Sequence, residues 1–357
     1  MRKVGKLLQW VLLIALIGAF LAFTYVFVKR YDPKGVNAVV FACLGAIVGA
    51  LATFFLHPII HEFGHVFFGK IAGLKLIAFR AGVFVYAQGK FRFALPSMGG
   101  ECVMLPKSGK KAETKRRVFA WGGIIGSLIF FLSLVWAPFS FWLSAPVYAG
   151  LTTAALYAGY ELFSNVSPSE GREKTDGEVL FASYKRTPES VVESAVFVAQ
   201  SYVLTGETPA EIPYENLYKL PVISEGEPSF ALLTYLRLQR ATLLKNKGEM
   251  RVQLSRLQDL LTFTDGDAYL ALLCEGTFAF SLLKDKEKAE QCYAELIAEN
   301  PEIPARYRAE SMYFARIKGD MESAEKAEKI ACDMIENLHL PGEKHTENAL
   351  LSLYKNK

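Results

Sequence analysis

Two histidines and a glutamate stand at the spacing of a metal-dependent hydrolytic centre. His61, Glu62 and His65 form the pattern H-E-x-x-H. On a helix, residues four apart share one face, so both imidazoles can reach the same ion, and two neutral ring nitrogens suit Zn²⁺. Glu62 is rotated by about 100 degrees from His61. It can therefore lie beside the metal as a general base that takes a proton from water and passes it to a leaving amine.

The motif lies in an apolar segment that carries no charge from Val36 until Glu62. Polar side chains are costly in a bilayer unless they have a function, which favours the metal interpretation. His57 lies four residues before His61, on the same helix face. It is either a partner behind the site or an interfacial histidine near a kink at Pro58, and the second interpretation is favoured.

A catalytic zinc site needs a third protein ligand and one position for water. The polar end of a later apolar stretch offers several oxygen ligands, and residue chemistry alone does not choose among them. The candidates are Glu161, Asn165, Glu170, Glu173 and Asp176.

Hydrophobic residues make up 52% of the chain, which is typical of a membrane protein. Four apolar stretches are long enough to span a bilayer, and the last two are joined by a short corner around residues 144–146. The predicted spans are Leu7–Val28, a stretch from Val36 into the motif, Val118–Leu143 and Ala145–Phe163.

Basic residues predict the orientation of these spans. The segment 70–117 holds eleven Lys and Arg, which places it in the cytoplasm together with the N-terminus and everything after the fourth span. The loop Lys29–Lys34 holds three basic residues on the opposite side and goes against this rule. We expect a multi-pass protein of a bacterial cytoplasmic membrane with its C-terminal domain in the cytoplasm.

Charge and cysteine content exclude other classes. A net charge of +4 is too weak to predict nucleic-acid binding. The five cysteines form no CxxC pair, which argues against a disulfide framework and fits soluble parts in a reducing compartment.

The sequence predicts a mainly α fold with three parts. Residues 1–35 form an N-terminal transmembrane anchor. A cleaved signal peptide is the alternative, because Arg2, Lys3 and Lys6 give a basic start, but the apolar run is longer than usual for one. Residues 36–186 form a polytopic core that brings the total to about four transmembrane helices. Residues 187–357 form a soluble domain of α-helical hairpins, with breaks at Lys247-Gly248, Asp265-Gly266, Asn300-Pro301 and Lys318-Gly319. A loose repeat of about 34 residues resembles tetratricopeptide units, and an irregular helical bundle is the alternative. The residues of the repeat are Ala279, Ala289, Tyr293, Pro301, Phe314 and Ala324.

A small β-hairpin is predicted at the membrane face. Residues 83–86 and 91–93 are apolar or alternating and flank the turn Gln88-Gly89-Lys90. Such a hairpin can add an extended substrate strand to its edge, or it can merely plug the membrane face.

Together these segments resemble the site-2 protease family of intramembrane zinc metalloproteases over roughly residues 36–180. Three features carry the resemblance in order: HEFGH in an apolar helix, a basic strand-like loop ending in Leu95-Pro96-Ser97-Met98-Gly99-Gly100-Glu101-Cys102-Val103, and Asn165-x-x-Pro168 followed by Asp176-Gly177.

The resemblance implies that Asp176 is the third zinc ligand and that Asn165 holds the substrate backbone or the developing oxyanion. The spacing from Pro168 to Asp176 is longer than in many members, which leaves Glu170 and Glu173 as alternative ligands. Residues 122–126 read Gly-Gly-Ile-Ile-Gly in place of a Gly-Pro-x-x-Asn motif, so any role of that Asn is absent. The glycines still permit close helix packing beside the site.

The expected function is hydrolysis of peptide bonds in membrane-embedded proteins, in regulated signalling. Expected partners are a transmembrane protein substrate, membrane lipid and a cytoplasmic regulator bound by residues 187–357. The alternative is an inactive membrane-anchored scaffold whose helical domain binds proteins. A transporter is a third option, which a single polar cluster supports poorly.

Overall fold

The chain is mainly helical, at 74%, with one small antiparallel sheet of four strands, which confirms the predicted class. A computed structural model describes residues 2–31, 36–95, 99–167 and 174–355. The chain forms two compact units. The first consists of Met1–Met104 and Glu113–Arg186, and the second of Leu105–Ala112 and Thr187–Lys357.

The elements up to residue 186 are four long helices, a short helix and the sheet. They are α1 Arg2–Tyr31, α2 Val36–Ile71, β1 Leu74–Ala81, β2 Phe84–Ala87, β3 Lys90–Phe93, β4 Gly100–Pro106, α3 Ala112–Ser140, α4 Ala145–Val166 and α5 Asp176–Lys185.

Helix α2 packs closely against both α3 and α4, because glycines let the backbones meet. A Cβ atom at Gly49 would collide with the carbonyl of Gly150 in α4. A Cβ atom at Gly64, inside the HEFGH motif, would collide with the carbonyl of Gly122 in α3. The small residues around the motif therefore hold α2 at backbone contact with two neighbours.

Helix α1 ends against the turn between α3 and α4. The Arg30 guanidinium donates hydrogen bonds to the carbonyls of Pro138 and Phe141, each at 3.1 Å. Carbonyls at a helix C-terminus lack partners within the helix and carry partial negative charge. This contact gives a physical reason for one of the basic residues that depart from the orientation rule.

The sheet has the strand order β3-β2-β1-β4 and contains the predicted hairpin as β2 and β3. Its turn has positive φ at Gln88 (49°) and Gly89 (73°), the backbone of a two-residue hairpin turn. Phe84 pairs with Phe93, and Tyr86 pairs with Phe91, so the four aromatic rings share one face. The sheet is larger than predicted, because β1 and β4 extend it beyond the hairpin.

The aromatic face of the sheet packs on α2. Phe79 in β1 is buried, and its ring lies 5.1 Å from the ring of Phe63 in the HEFGH motif. Toward the outer strand the face emerges from this contact, and Phe91 and Phe93 are exposed. The sheet is thus attached to the helix that carries the candidate catalytic residues.

In the described part of the chain, three helices are long and apolar enough to cross a membrane, namely Ala38–Ile71, Ala112–Ser140 and Gly266–Leu283. The first two coincide with the second and third predicted spans. The last lies in the region predicted to be soluble, and 56% of its apolar stretch is buried within the protein. Residues of the first and fourth predicted spans form α1 and α4, and the total of four spans stays a prediction.

The second unit is helical, and its helices begin or end at the four predicted breaks. A 3-10 turn at Pro209–Glu211 and a π-helical turn at Phe314–Lys318 interrupt the α-helices. These are α6 Pro188–Ala199, α7 Tyr202–Thr205, α8 Tyr214–Tyr218, α9 Pro228–Leu243, α10 Lys247–Leu254, α11 Leu257–Phe263, α12 Gly266–Leu283, α13 Lys286–Glu299, α14 Pro304–Tyr313, α15 Met321–Glu336 and α16 Pro341–Ser352.

The alanines of the proposed repeat lie in the core of this unit. Ala279, Ala289 and Ala324 are fully buried, where small side chains let neighbouring helices approach. Burial of this kind is common to helical hairpins and irregular bundles, so the tetratricopeptide assignment stays a prediction.

Candidate metal centre

Two helices bring three candidate ligands to one point. The Nε2 atoms of His61 and His65 each lie 3.3 Å from Oδ2 of Asp176 and 3.2 Å from one another. His61 and His65 come from α2, and Asp176 is the first residue of α5. Among the described residues these three are the group of His, Cys, Asp and Glu side chains that could hold a metal ion.

The centre has the properties of a metal site. Oδ2 of Asp176 is buried and makes no hydrogen bond within the described residues. A Cβ atom at Gly123 of α3 would lie 2.5 Å from His65 Nε2 and 2.6 Å from that oxygen, so only a glycine leaves the space between the donors open. Two imidazoles and one carboxylate, with room for one ion between them, fit a divalent transition metal.

The far side of each imidazole is held by α3. Nδ1 of His65 donates to the carbonyl of Phe119 at 2.8 Å. Nδ1 of His61 lies 3.0 Å from the hydroxyl oxygen of Ser127, which is fully buried. With both Nδ1 atoms engaged, the Nε2 atoms point toward Asp176.

Asp176 is held in place by the start of α5. Thr175 caps this helix by accepting a hydrogen bond from the Glu178 N–H at 3.2 Å. The same hydroxyl donates to the carbonyl of Ser167, just beyond α4, at 2.8 Å. A Cβ atom at Gly177 would collide with the carbonyl of Val166, so the glycine of the Asp-Gly pair lets α5 begin against the end of α4.

Glu62 is buried beside the sheet rather than inside the ligand group. A Cβ atom at Gly100, the first residue of β4, would lie 2.6 Å from Glu62 Oε1. Strand β4 therefore begins in direct contact with this carboxylate. The second glycine of the Gly-Gly pair is what permits the contact.

Asn165 lies against His61. Its amide nitrogen is 3.3 Å from Nε2 and 3.4 Å from Nδ1 of that ring, which places the amide within reach of the centre. Glu161 does not belong to the cluster. Glu170 and Glu173 lie outside the described residues, as does Pro168.

His57 is buried behind the centre. It is 4% exposed, and its ring is stacked on that of His61 with a centroid distance of 6.0 Å. Helix α2 continues through Pro58. Nε2 of His57 makes no hydrogen bond within the described residues, so both interpretations of His57 stay predictions.

The predicted close packing of the α3 glycines beside the site is confirmed by the contact of Gly122 with Gly64, but sequence reasoning missed what else α3 contributes. Phe119, Gly123 and Ser127 follow one another at intervals of four residues and so lie on one face of α3. This face places a carbonyl, the open space at a glycine and a hydroxyl opposite the two imidazoles. The spacing is visible in the sequence, but a serine and a backbone carbonyl carry no signal until a histidine is known to lie opposite.

None of the comparisons with protein-family models, with curated proteins or with solved structures gives a match.

Proposed function

We propose that the protein is an intramembrane zinc metalloprotease of the site-2 type, which hydrolyses peptide bonds of membrane-embedded proteins. The observation that carries the proposal is the buried meeting of His61 and His65 with Asp176 from a separate helix, beside the carboxylate of Glu62. The order of motifs along residues 36–180 supports the assignment to this family.

His61, His65 and Asp176 are the residues that would hold Zn²⁺. A bound zinc ion supplies Lewis-acid chemistry that polarises a carbonyl and activates water at neutral pH. Three protein ligands leave a coordination position open, which distinguishes a catalytic from a closed structural site.

Glu62 moves the proton. Its carboxylate is one residue from His61 and does not belong to the ligand group, so it is free to accept a proton from the attacking water and deliver it to the leaving amine nitrogen. The amide of Asn165 is a neutral donor beside the centre. It holds the substrate carbonyl and the negative charge that develops on its oxygen.

Strand β4 orients the substrate. It is the outer strand of the sheet on the side opposite β3, and it begins at Gly100 in contact with Glu62. A substrate segment that pairs with this edge would be extended and would pass the general base. This suits a transmembrane substrate, because a helix must unwind before its amide bonds can be attacked.

We place the metal centre within a membrane, because two of the helices that form it are long and apolar enough to cross one. Helix α2 carries HEFGH, and α3 contacts the two imidazoles. We place residues 70–111 and 187–357 in the cytoplasm of a bacterium. There the helical second unit binds a regulator in a signalling pathway, while lipid surrounds the spans.

Replacement of Glu62 by Gln tests the proposal. Gln has the shape of Glu but cannot accept the proton, so cleavage of a membrane-tethered reporter in vesicles should fall by at least about 100-fold. Zinc content, measured by elemental analysis, should stay at the wild-type level. The control is Glu322→Gln, whose exposed carboxylate pairs with Lys326 in the second unit, and it should cleave like the wild type.

Unchanged cleavage by the Glu62 variant would refute the protease and favour the membrane-anchored scaffold. Absence of stoichiometric zinc in the wild-type protein would refute the metal centre itself.

A further inference from the structure

The two imidazoles of the centre differ in what holds their second nitrogen. His65 Nδ1 donates to a backbone carbonyl, that of Phe119. No side-chain substitution removes this acceptor. His61 Nδ1 instead lies 3.0 Å from a side-chain oxygen, that of Ser127, which substitution can remove.

The partner of Nδ1 decides which nitrogen of a neutral imidazole carries the proton. For His61 to present a lone pair at Nε2, Nδ1 must carry the hydrogen and needs an acceptor. The Asn165 amide nitrogen, 3.4 Å from Nδ1, is a donor and cannot fill this role. Among the contacts of this nitrogen in the described part of the chain, the Ser127 hydroxyl is the one that can accept.

The Ser127 contact is also unusual for a serine in a helix. Such hydroxyls commonly bond to a carbonyl of their own helix, as Ser133 does in α3, donating to Ile129 at 2.8 Å. The Ser127 oxygen instead meets a side chain of α2, and Ser127 is fully buried.

We propose that Ser127 is a positioning residue for the metal centre, and that its hydroxyl fixes the tautomer and ring angle of His61 so that Nε2 faces Asp176 Oδ2. The inference rests on the proposed metal centre and deepens it. Ser127 touches neither the substrate nor the ion. It acts on metal affinity through His61.

The test compares Ser127→Ala with Ser133→Ala in the full-length protein, purified in detergent micelles. Loss of an outer partner of a metal-ligating histidine costs about 10- to 100-fold in metal affinity. The zinc dissociation constant, measured by competition with a chromophoric chelator, should rise by this factor in Ser127→Ala and stay at the wild-type value in Ser133→Ala. The visible spectrum of the Co²⁺-loaded protein should shift in the first variant only.

Equal zinc affinity and an unchanged Co²⁺ spectrum in Ser127→Ala would overturn the inference and leave the proposed protease intact. Failure of the wild-type protein to bind zinc would instead overturn the proposed function. If Ser127→Ala does not fold, ¹⁵N NMR of histidine-labelled wild-type protein decides. The inference requires a protonated Nδ1 on His61 in the zinc-loaded state, and a metal-bound Nδ1 overturns it.

Discussion

At the scale of single residues, the metal centre depends on the absence of a Cβ atom at Gly123. The HEFGH motif supplies two imidazoles and a carboxylate, but the ligand atoms can surround an ion only because position 123 has no Cβ atom. Backbone contact between Gly64 and Gly122 brings α3 this close. The glycine at position 123 then leaves open the space that the close approach would otherwise fill.

Replacement of Gly123 by Ala should therefore abolish metal binding. The new methyl carbon would lie 2.5 Å from His65 Nε2 and 2.6 Å from Asp176 Oδ2, within the space of an ion. We expect zinc affinity to fall by more than the roughly 100-fold that loss of an outer-shell partner can cost. Isothermal titration with Zn²⁺ measures the effect.

The matched control is Gly18→Ala in α1, another helical glycine, where a Cβ atom meets nothing within 4 Å. It should bind zinc like the wild type. Tight zinc binding by Gly123→Ala would mean that the ion lies elsewhere.

The sequence predicted the roles of only some of the residues of the metal centre. The pair of histidines and the glutamate follow from spacing on one helix, which is a local property. Asp176 came from a family resemblance, because a ligand more than 100 residues away leaves no periodic signal. The glycines at 122–126 predicted close helix packing, but the open space at Gly123 and the contact of Ser127 were missed, since these exist only across a helix contact.

At the scale of elements, the third ligand depends on how α5 starts. Asp176 is the first residue of α5, where the helix dipole favours a negative charge. One hydroxyl, that of Thr175, both caps α5 and binds the carbonyl of Ser167. The arginine Arg117 of α3 donates to the Ser183 hydroxyl at 2.7 Å and so ties down the other end of α5.

Replacement of Thr175 by Ala should weaken both the helix and the metal centre. Loss of an N-cap side chain costs about 1 kcal/mol, which frees the first turn of α5 and the Asp176 carboxylate with it. Zinc affinity should fall by a factor of about 5, the equilibrium equivalent of that energy. Thr175→Ser, which keeps the hydroxyl, is the control, and chelator competition compares the two. Equal loss in both variants would exclude the hydroxyl as the cause.

The elements themselves were largely predictable. Helix breaks at Gly and Pro and the Gln88-Gly89 turn follow from backbone preferences, and the structure has them at the predicted places. Strands β1 and β4 were not assigned as separate elements. Strand β1 is joined to β2 by a short turn, with Ala81 paired to Phe84, but β4 lies beside β1 although β2 and β3 come between them in the chain.

At the scale of the whole molecule, the second unit is held together by a buried charge network. Arg308 is fully buried and binds Glu275 at 2.6 Å and Glu347 at 2.7 Å, joining α14 to α12 and α16. Removal of one partner of such a pair leaves an uncompensated buried charge. Composition could not predict this core, because charged residues at helical spacing are typical of a solvated surface.

Helix α16 carries a second carboxylate into the same region. A Cβ atom at Gly342 would collide with the carbonyl of Tyr202, so the start of α16 lies directly against α7. The next residue is Glu343. Burial there, and then the negative charge of Glu347, raise the pKa of Glu343 to about 6. The usual pKa of a glutamate is about 4.3.

The second unit should therefore lose stability as the pH rises from about 4.5 to 7. A carboxyl group whose pKa is raised by folding binds its proton more tightly in the folded than in the unfolded state. Its stabilising contribution is full below the unfolded pKa and is lost as the pH passes the folded pKa of about 6. A pKa raised to this extent corresponds to about 2 kcal/mol.

Glu343→Gln, which stays neutral, should be more stable than the wild type at pH 7.5 by up to that amount and nearly equal to it at pH 4.5. Urea unfolding of the full chain, monitored by hydrogen exchange in α14 and α16, measures the difference in stability at each pH. Because the variant and the wild type share Glu347 and the other titrating groups, the contribution of these groups cancels in the comparison.

The control is Glu322→Gln, an exposed residue whose carboxylate pairs with Lys326 on the surface of α15. It should shift stability by less than about 1 kcal/mol at either pH. A Glu343→Gln effect that does not change with pH would show that folding does not raise the pKa of this carboxyl group.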